Sequence, residues 1–546
     1  MKKDDVKPSI VPTEPSNLKE PKKPASTLTN DFGTPVADNQ NSVTAGPRGP
    51  VLLQDHHLLE KLAHFNRERV PERVVHAKGS GAFGTFTVTR AIPELTVAKI
   101  FQKEGNQCRM LARFSTVAGE QGFADTVRDP RGFALKFYTE DGNWDMVGNN
   151  TPVFFIRDGS KFPDFIHSQK RHGATGRRSN TMQFDFWIHK KEAMHQVLYI
   201  FGDRGIPRSF RHMNGYSSHT YSLWNDKGER VYVKWHFHTQ QGVQNLTEAE
   251  ATEIAGKNPD YARMDLYDAI ERGENPRWKV SIQVMTPEQA ETYHIHPFDI
   301  TKIWPHKDFP LMEVGEFELN ENPKNFFTEI EQAAFEPSNM PRGFGASPDK
   351  MLQARIMSYA DAHRYRIGAN YGQLPVNMPV VPVHNYQQDG FLRYADAGGQ
   401  PTYEPNSFGG PAADDSLKEP PLPLHGAADR FASYPETDED YFGQPGALYR
   451  IMAPDEQQRV HGNYGRALAP VPKFIQDEYC AMLDKVDPRL GAGVREEIAK
   501  AKAEPEAGLE QILHELHTYA AGGDLKVSGE LVGEQVKEVA GAHGDD

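Results

Sequence analysis

The sequence predicts an α+β protein: an antiparallel β-barrel or strongly curved sheet, then a long irregular segment, then a helical C-terminal region. Three observations carry that expectation. Short runs rich in β-branched and aromatic residues recur between Gly, Asp and Asn turns from Arg73 to about Met312. Residues 321–440 are rich in Pro, Asn, Gly and Tyr and hold little regular periodicity. From about Pro445 onward the apolar residues fall at helical spacing.

In chain order, residues 1 to about 30 mix Lys, Pro, Glu and Ser without hydrophobic period, the composition of a mobile tail. VLLQDHHLLEKLAHF then sets Leu52, Leu59, Leu62 and Phe65 at spacings that suit an amphipathic helix. RVVHA, GTFTVT, RGFALKFYT, PVFFI, RVYVKWHFHT and KVSIQVM read as strands, and the insert from about Met182 to Gly205 holds a helical pattern in HKKEAMHQVLYIF. The irregular segment contains one clear helix, around Tyr359; irregular chain of this length wraps another surface or forms a site. LYRIMAPDEQQRVHGNYGRAL, FIQDEYCAMLDKV and AGLEQILHELHTYA read as helices. The expected boundaries are a mobile tail at 1–48, an N-terminal arm at 49–77, the barrel with helical insertions at 78–322, a wrapping segment at 323–440, a helical region at 441–520 and a tail at 521–546.

The formal charge of −14 argues against general binding to nucleic acid or an anionic membrane and favours a small ligand. Two cysteines, Cys108 and Cys480, are too few for a disulfide framework or a thiolate zinc site, as expected of a cytoplasmic protein. The N-terminus lacks the apolar stretch of a secretory signal, so export is not expected.

Chemistry concentrates in three places. In RIMSYADAHRYRIGANY, helical spacing puts Arg355, Tyr359, Ala362 and Arg366 on one face with His363 beside them. Cations beside a phenol favour its ionised form, an oxygen ligand suited to ferric iron, though the same spacing also fits an ordinary arginine–tyrosine surface pair. In RVVHAKGSGAFG, strand alternation would set Val74 and His76 on one face, with His76 before a glycine-rich bend. A neutral imidazole there can accept a substrate proton. In NWDMVGNNTPVFFIRD, Asn149 and Asn150 precede an apolar run and offer donor and acceptor without titrating.

These motifs, with HQVLYIFGDRGIPRSFRHMNGYSSHTY and NPKNFFTEIEQAAFEPSNMPRGFGASPDKMLQ, occur in one order over roughly residues 50 to 480 and closely resemble the haem catalases. The resemblance implies the antiparallel β-barrel of that fold and dismutation of hydrogen peroxide to water and dioxygen through an oxidised haem (compound I) intermediate. By it, Tyr359 is the iron ligand, an assignment that matches the general case of tyrosine ligation in catalase. Arg355 holds the phenol ionised; Arg73, Arg113 and Arg366 hold the haem propionates; Val75, Phe154 and Phe162 pack on the porphyrin. His76 and Asn149 form the distal pair, with Ser115 bonded to the histidine, and Val117, Asp129 and Gln169 line the peroxide channel. His195, Arg204, His236, Trp304, His306 and Gln444 match an NADPH site, while Tyr199, Gly202 and His238 depart from it, the last standing where a lysine is common. The chain's length resembles small-subunit members, which implies haem b, a homotetramer and a buried N-terminal arm. Competing readings are a catalase-fold peroxidase or hydroperoxide converter, a haem store, and a non-haem metal site at His236 and His238 or at His294 and His296.

Overall fold

The computed structural model describes residues 10–15, 18, 20–396, 398–422, 424–431 and 440–503. The expected helix in AGLEQILHELHTYA, the tail at 521–546 and the first residues of the N-terminal tail lie outside the described residues. The chain divides into two compact units, residues 1–170 with 192–444 and residues 171–191 with 445–546.

Among the described residues the first unit contains ten strands: β1 (Gly79–Val88), β2 (Gln107–Ser115), β3 (Gly132–Thr139), β4 (Gly142–Asn149), β5 (Gly215–Tyr216), β6 (Tyr221–Trp224), β7 (Arg230–Thr239), β8 (Arg277–Met285), β9 (Met312–Glu321) and β10 (Phe344–Gly345). Antiparallel pairing runs β1–β2–β3–β4–β5–β7–β8–β9 and returns from β9 to β1, which closes an eight-stranded barrel; β6 and β10 extend from β7. Closure leaves no free edge in the barrel.

The interior is filled by aromatic rings. Phe86, Phe101, Phe114, Phe133, Phe137, Trp144, Trp235, Phe237, Trp278 and Phe317 belong to one buried cluster. Phe137 stacks on Trp144 at 4.2 Å and Trp278 on Phe317 at 5.0 Å, so the barrel is a packed core. A second cluster lies on the opposite face of the strands: Phe83, Leu111, Tyr138 and Val147 pack with Ile330, Ala333, Phe335 and Val376, and Tyr359 joins it. The outer face of β1–β4 is therefore a buried surface.

Two runs expected as strands form none. RVVHA and PVFFI adopt bends and coil, the first because His76 is left-handed, the second with its Phe154 N–H tied to Ile300 O at 3.1 Å. The helix His56–Phe65 forms as expected, capped by Asp55, but Leu59, Leu62 and Phe65 are exposed in the single chain. Residues 28–52 of the N-terminal region close two small loops through bridges Thr29–Pro35 and Thr44–Val51. In the second unit, the helix Asn180–His189 joins Pro454–Leu468 and Lys473–Val486, with Phe184 edge-on to Tyr479 at 4.9 Å. The expected boundaries place that helix with the barrel; its packing groups it with the C-terminal helices. Among the described residues, no helix is long and apolar enough to cross a membrane.

A buried ion pair ties the irregular segment to the barrel. Lys136 and Asp145, paired across β3 and β4, meet at 2.8 Å with 1% and 0% side-chain exposure. Asp145 also accepts from Glu336 N–H and Asn339 Nδ2. Lys136→Met strands that carboxylate and is expected to cost about 3–5 kcal/mol. The check is denaturant unfolding: a midpoint equal to wild type contradicts it, and adding Asp145→Leu should recover part of the loss.

Candidate active site

Backbone pairing aligns Gly79, Ser115, Gly132, Asn149 and Tyr216 in one rung across β1 to β5. Residues on one rung share a sheet face. Phe114 and Phe133, one step along, point into the barrel, so Ser115 and Asn149 project from its outer face at one end.

His76 stands three residues before β1 with φ of 64°. That left-handed backbone is uncommon for a residue with a Cβ and costs about 1–3 kcal/mol, so its surroundings must hold it. They do: His76 N–H donates to Val117 O at 3.0 Å, and Arg113 Nη2 donates to the carbonyls of His76 and Ala77 at 3.0 and 3.1 Å. The bend overturns the strand-alternation expectation, since Val74 is exposed while the His76 ring turns inward with Nδ1 2.9 Å from Ser115 Oγ. Glycines make the room: a Cβ at 132 would lie 2.3 Å from Ser115 Oγ and 2.5 Å from His76 Nδ1, and one at 79 would lie 2.7 Å from Arg113 Cζ. Burial, then the charges of Arg113, Arg355, Arg73 and Lys170, push His76 down to about 3, so the ring is neutral near pH 7. Asn149 Oδ1 is buried without a protein partner.

The helix Lys350–Arg366 supplies the facing chemistry. Arg355 Nη2 donates to Tyr359 Oη at 2.7 Å and to Val147 O on β4 at 3.0 Å. Burial disfavours the guanidinium charge, but Tyr359, Tyr221 and Asp349 outweigh it and hold Arg355 above its ordinary value. Asp349 caps the helix through Met351 and Leu352 N–H and meets His219 Nδ1 at 2.7 Å, both nearly inaccessible. Two turns beyond Tyr359, Arg366 meets Glu331 at 3.3 Å, and Arg73 meets the same oxygen at 3.2 Å. Glu331 ends the π-helical turn Phe327–Glu331. His363 instead bonds Phe335 O at 3.0 Å.

Arg73, Arg113 and Arg366 thus crowd together, and burial pushes all three down; Arg73 also feels Arg113 and Arg366. Among the described residues Glu331, bonded to Arg73 and Arg366, is the one carboxylate in this group, leaving a formal excess of two positive charges (three minus one). Arg113 Nε is buried without a partner. This donor set fits a planar group carrying two carboxylates, with an oxygen ligand at Tyr359. Haem has that chemistry.

The other expected residues divide. Phe154 and Phe162 stack at 6.4 Å. Val117 is bonded to His76, but Asp129 accepts from Val117 and Ala118 N–H at 2.6 and 2.7 Å, which ties its carboxylate into the turn. Gln169 is buried, with Nε2 on Ser168 Oγ. Val75 is half-buried.

A separate cavity of about 140 Å³ brings together Arg204, His236, Trp304 and His306 with Tyr199, Tyr216, Lys234 and Gln283. His195 stacks on Tyr199 at 5.2 Å, and Gln444 grips the backbone N–H and carbonyl of Ile303, so both act one contact behind the cavity. Gly202 accepts from Arg128 through its carbonyl. Among the described residues no group of His, Cys, Asp or Glu is arranged to hold a metal ion.

Sequence reasoning missed Glu331, His219, Asp349, Lys234 and Gln283. Only Asp349 carried a local signal, as a helix N-cap after Ser-Pro.

Burial lowers His76 to about 3, His195 to about 4, His236 to about 3 and His363 to about 4. Each takes up its proton near 6.5 when unfolded, so below that pH the unfolded chain binds more protons and stability falls as pH falls. Apparent melting temperatures should be level from pH 8 to 7 and drop steadily from 6.5 to 5; a flat profile to pH 5 contradicts the four neutral histidines.

The comparisons with known proteins agree on one family. A family model described as Catalase matches residues 29–410, and one described as Catalase-related immune-responsive matches 435–498. The catalase of the Onchocerca volvulus endobacterium is 57% identical over 470 residues, 86% of this chain and 97% of that protein. Catalase A of Pseudomonas putida is 56% identical over 468 residues, with 86% and 97% covered. A solved structure of a bacterial catalase is 48% identical, with TM-score 0.85, covering 89% of this chain and 98% of that one. The chain belongs to the catalase family, haem enzymes that dismutate hydrogen peroxide to water and dioxygen.

Proposed function

We propose that this chain decomposes hydrogen peroxide on haem b, with Tyr359 as the iron ligand, Arg73, Arg113 and Arg366 on the propionates, and Val75, Phe154 and Phe162 against the ring. The observation that carries the reading is the 2.7 Å hydrogen bond from Arg355 to Tyr359 Oη on a guanidinium held charged. Haem held by these residues would supply two-electron redox chemistry toward peroxide. Arg355 donates to the phenol oxygen that would ligate the iron. His76, oriented by the 2.9 Å hydrogen bond between Nδ1 and Ser115 Oγ, accepts a peroxide proton on its neutral ring and returns it to the departing oxygen. Asn149 orients peroxide with an amide that does not titrate. Val117 and Gln169 line the approach, and Asp129, bonded to Val117 and Ala118 N–H, fixes the turn that carries Val117.

The cavity beside His236 takes NADPH: aromatic faces of Trp304 and Tyr216 suit the rings, and Arg204 suits phosphate. The exposed Leu59, Leu62 and Phe65 are covered in a homotetramer whose arm spans 49–77, and the segment 323–440 wraps its neighbours. The protein acts in the cytoplasm, consistent with two buried free cysteines.

Oxygen yield and absorption spectrum, recorded on one sample, test the assignment. Wild type should release one dioxygen per two peroxides; Tyr359→Phe should lose stable haem ligation, and His76→Ala should keep the haem but lose at least about 10²-fold in turnover. Normal haem and activity in Tyr359→Phe sinks the ligand assignment. Because His76 titrates near 3, wild-type turnover per haem should be level from pH 5 to 9; an acid limb between pH 6 and 7 contradicts it.

A further inference from the structure

The cavity beside His236 carries chemistry that dismutation does not use. Its lining combines Arg204, Lys234, His236 and His306 with aromatic walls and includes no carboxylate. His236 is the centre of an imidazole cluster, with His238 stacked at 6.0 Å and His306 edge-on at 5.5 Å. Cations and imidazoles without a carboxylate select an anion.

Gln283 decides which nitrogen of His236 is bare. Its Nε2 donates to Trp304 O at 3.0 Å and Phe309 O at 2.6 Å, so Oε1 faces His236 Nε2 at 2.9 Å. Nε2 therefore carries the proton of the neutral ring. Nδ1 is unprotonated, buried and without a protein partner. A proton added there turns an acceptor into a charged donor. The groups facing the cluster are Lys234 and His238 on β7, Arg204, His306, and the phenols of Tyr199 and Tyr216, with Lys279 on β8 and then Glu316 on β9 continuing the rung of His238; the cavity lining itself holds no carboxylate. Among the protein's own groups, burial and then the neighbouring imidazoles and Lys234 keep His236 neutral, and burial, His306 and Arg204 do the same for His238. A phosphate dianion reverses that balance.

We propose that this cavity binds the phosphomonoester of its dinucleotide with uptake of a proton by the His236–His238–His306 cluster, so that preference for NADPH over NADH grows as pH falls. The inference rests on the NADPH reading above. By linkage, each proton taken up weakens binding by up to about tenfold per unit rise in pH. A phosphomonoester ionises near pH ~6, which opposes the effect below that value, so the clean window lies above pH 6.5.

The test uses full-length, haem-loaded protein titrated with NADPH and with NADH, followed by nicotinamide fluorescence at pH 6.5 and 8, with calorimetry in two buffers of different ionisation heat. NADPH affinity should fall about tenfold across that range and NADH affinity less than about twofold, with net proton uptake for NADPH alone. His238→Lys, which puts a fixed charge at the half-buried edge of the cluster, should hold NADPH affinity at pH 8 and flatten the slope. An NADPH slope no steeper than that of NADH, or binding without proton uptake, overturns the inference and leaves the dinucleotide reading standing. A His238→Lys slope equal to wild type removes His238 from the cluster's role. Binding of neither nucleotide at any pH overturns the NADPH reading itself.

Discussion

Three buried guanidinium groups around a single carboxylate set the terms for the rest of this site. Arg73, Arg113 and Arg366 come from the arm, β2 and the helix Lys350–Arg366, and among the described residues Glu331, paired with Arg73 and Arg366, is the one carboxylate bonded in this group. Such an excess of buried charge is costly unless anions complete it. Each neighbouring feature follows from holding the three in place. Gly79 leaves room for Arg113, the π-helical turn delivers Glu331, and Arg113 in turn grips the carbonyls that keep His76 left-handed. The strain at His76 is thereby stored by the same contacts that position the anion-binding charges.

The site separates permanent charge from neutral proton carriers. Arginine stays ionised when buried far more readily than histidine, so the same dry surroundings that keep Arg355 charged beside Tyr359 keep His76 neutral beside Ser115. The barrel makes this division geometrically. Its inner face is a packed aromatic core, and its outer face carries Ser115, Gly132 and Asn149 on one rung that continues through Tyr216 to His236. At about 4.8 Å per strand, His236 lies roughly 10 Å along the sheet from Asn149, so one rung serves both the candidate active site and the cavity.

Much of this was legible in the sequence. β3, β7 and β8 announced themselves by alternation, and the helix around Tyr359 by the spacing of Arg355, Tyr359 and Arg366. The resemblance to catalases supplied roles that spacing alone left open. β4 was hidden because GNWDMVGN is built from turn formers, and β9 because a bulge breaks the period between Val314 and Phe317. RVVHA looked like a strand, but Val117 and Arg113, more than thirty residues away, bend it. The pairs that organise the site are long-range: His219 meets Asp349 across 130 residues and Arg73 meets Glu331 across 258, so no local pattern could announce them.

The most direct test of the charge account compares ferric haem with its propionate dimethyl ester on the haem-free protein. If the buried arginines require two carboxylates, haem should bind and raise the apparent melting temperature, while the ester binds at least about 10²-fold more weakly and stabilises little. Equal affinity and equal stabilisation by the two would contradict the account.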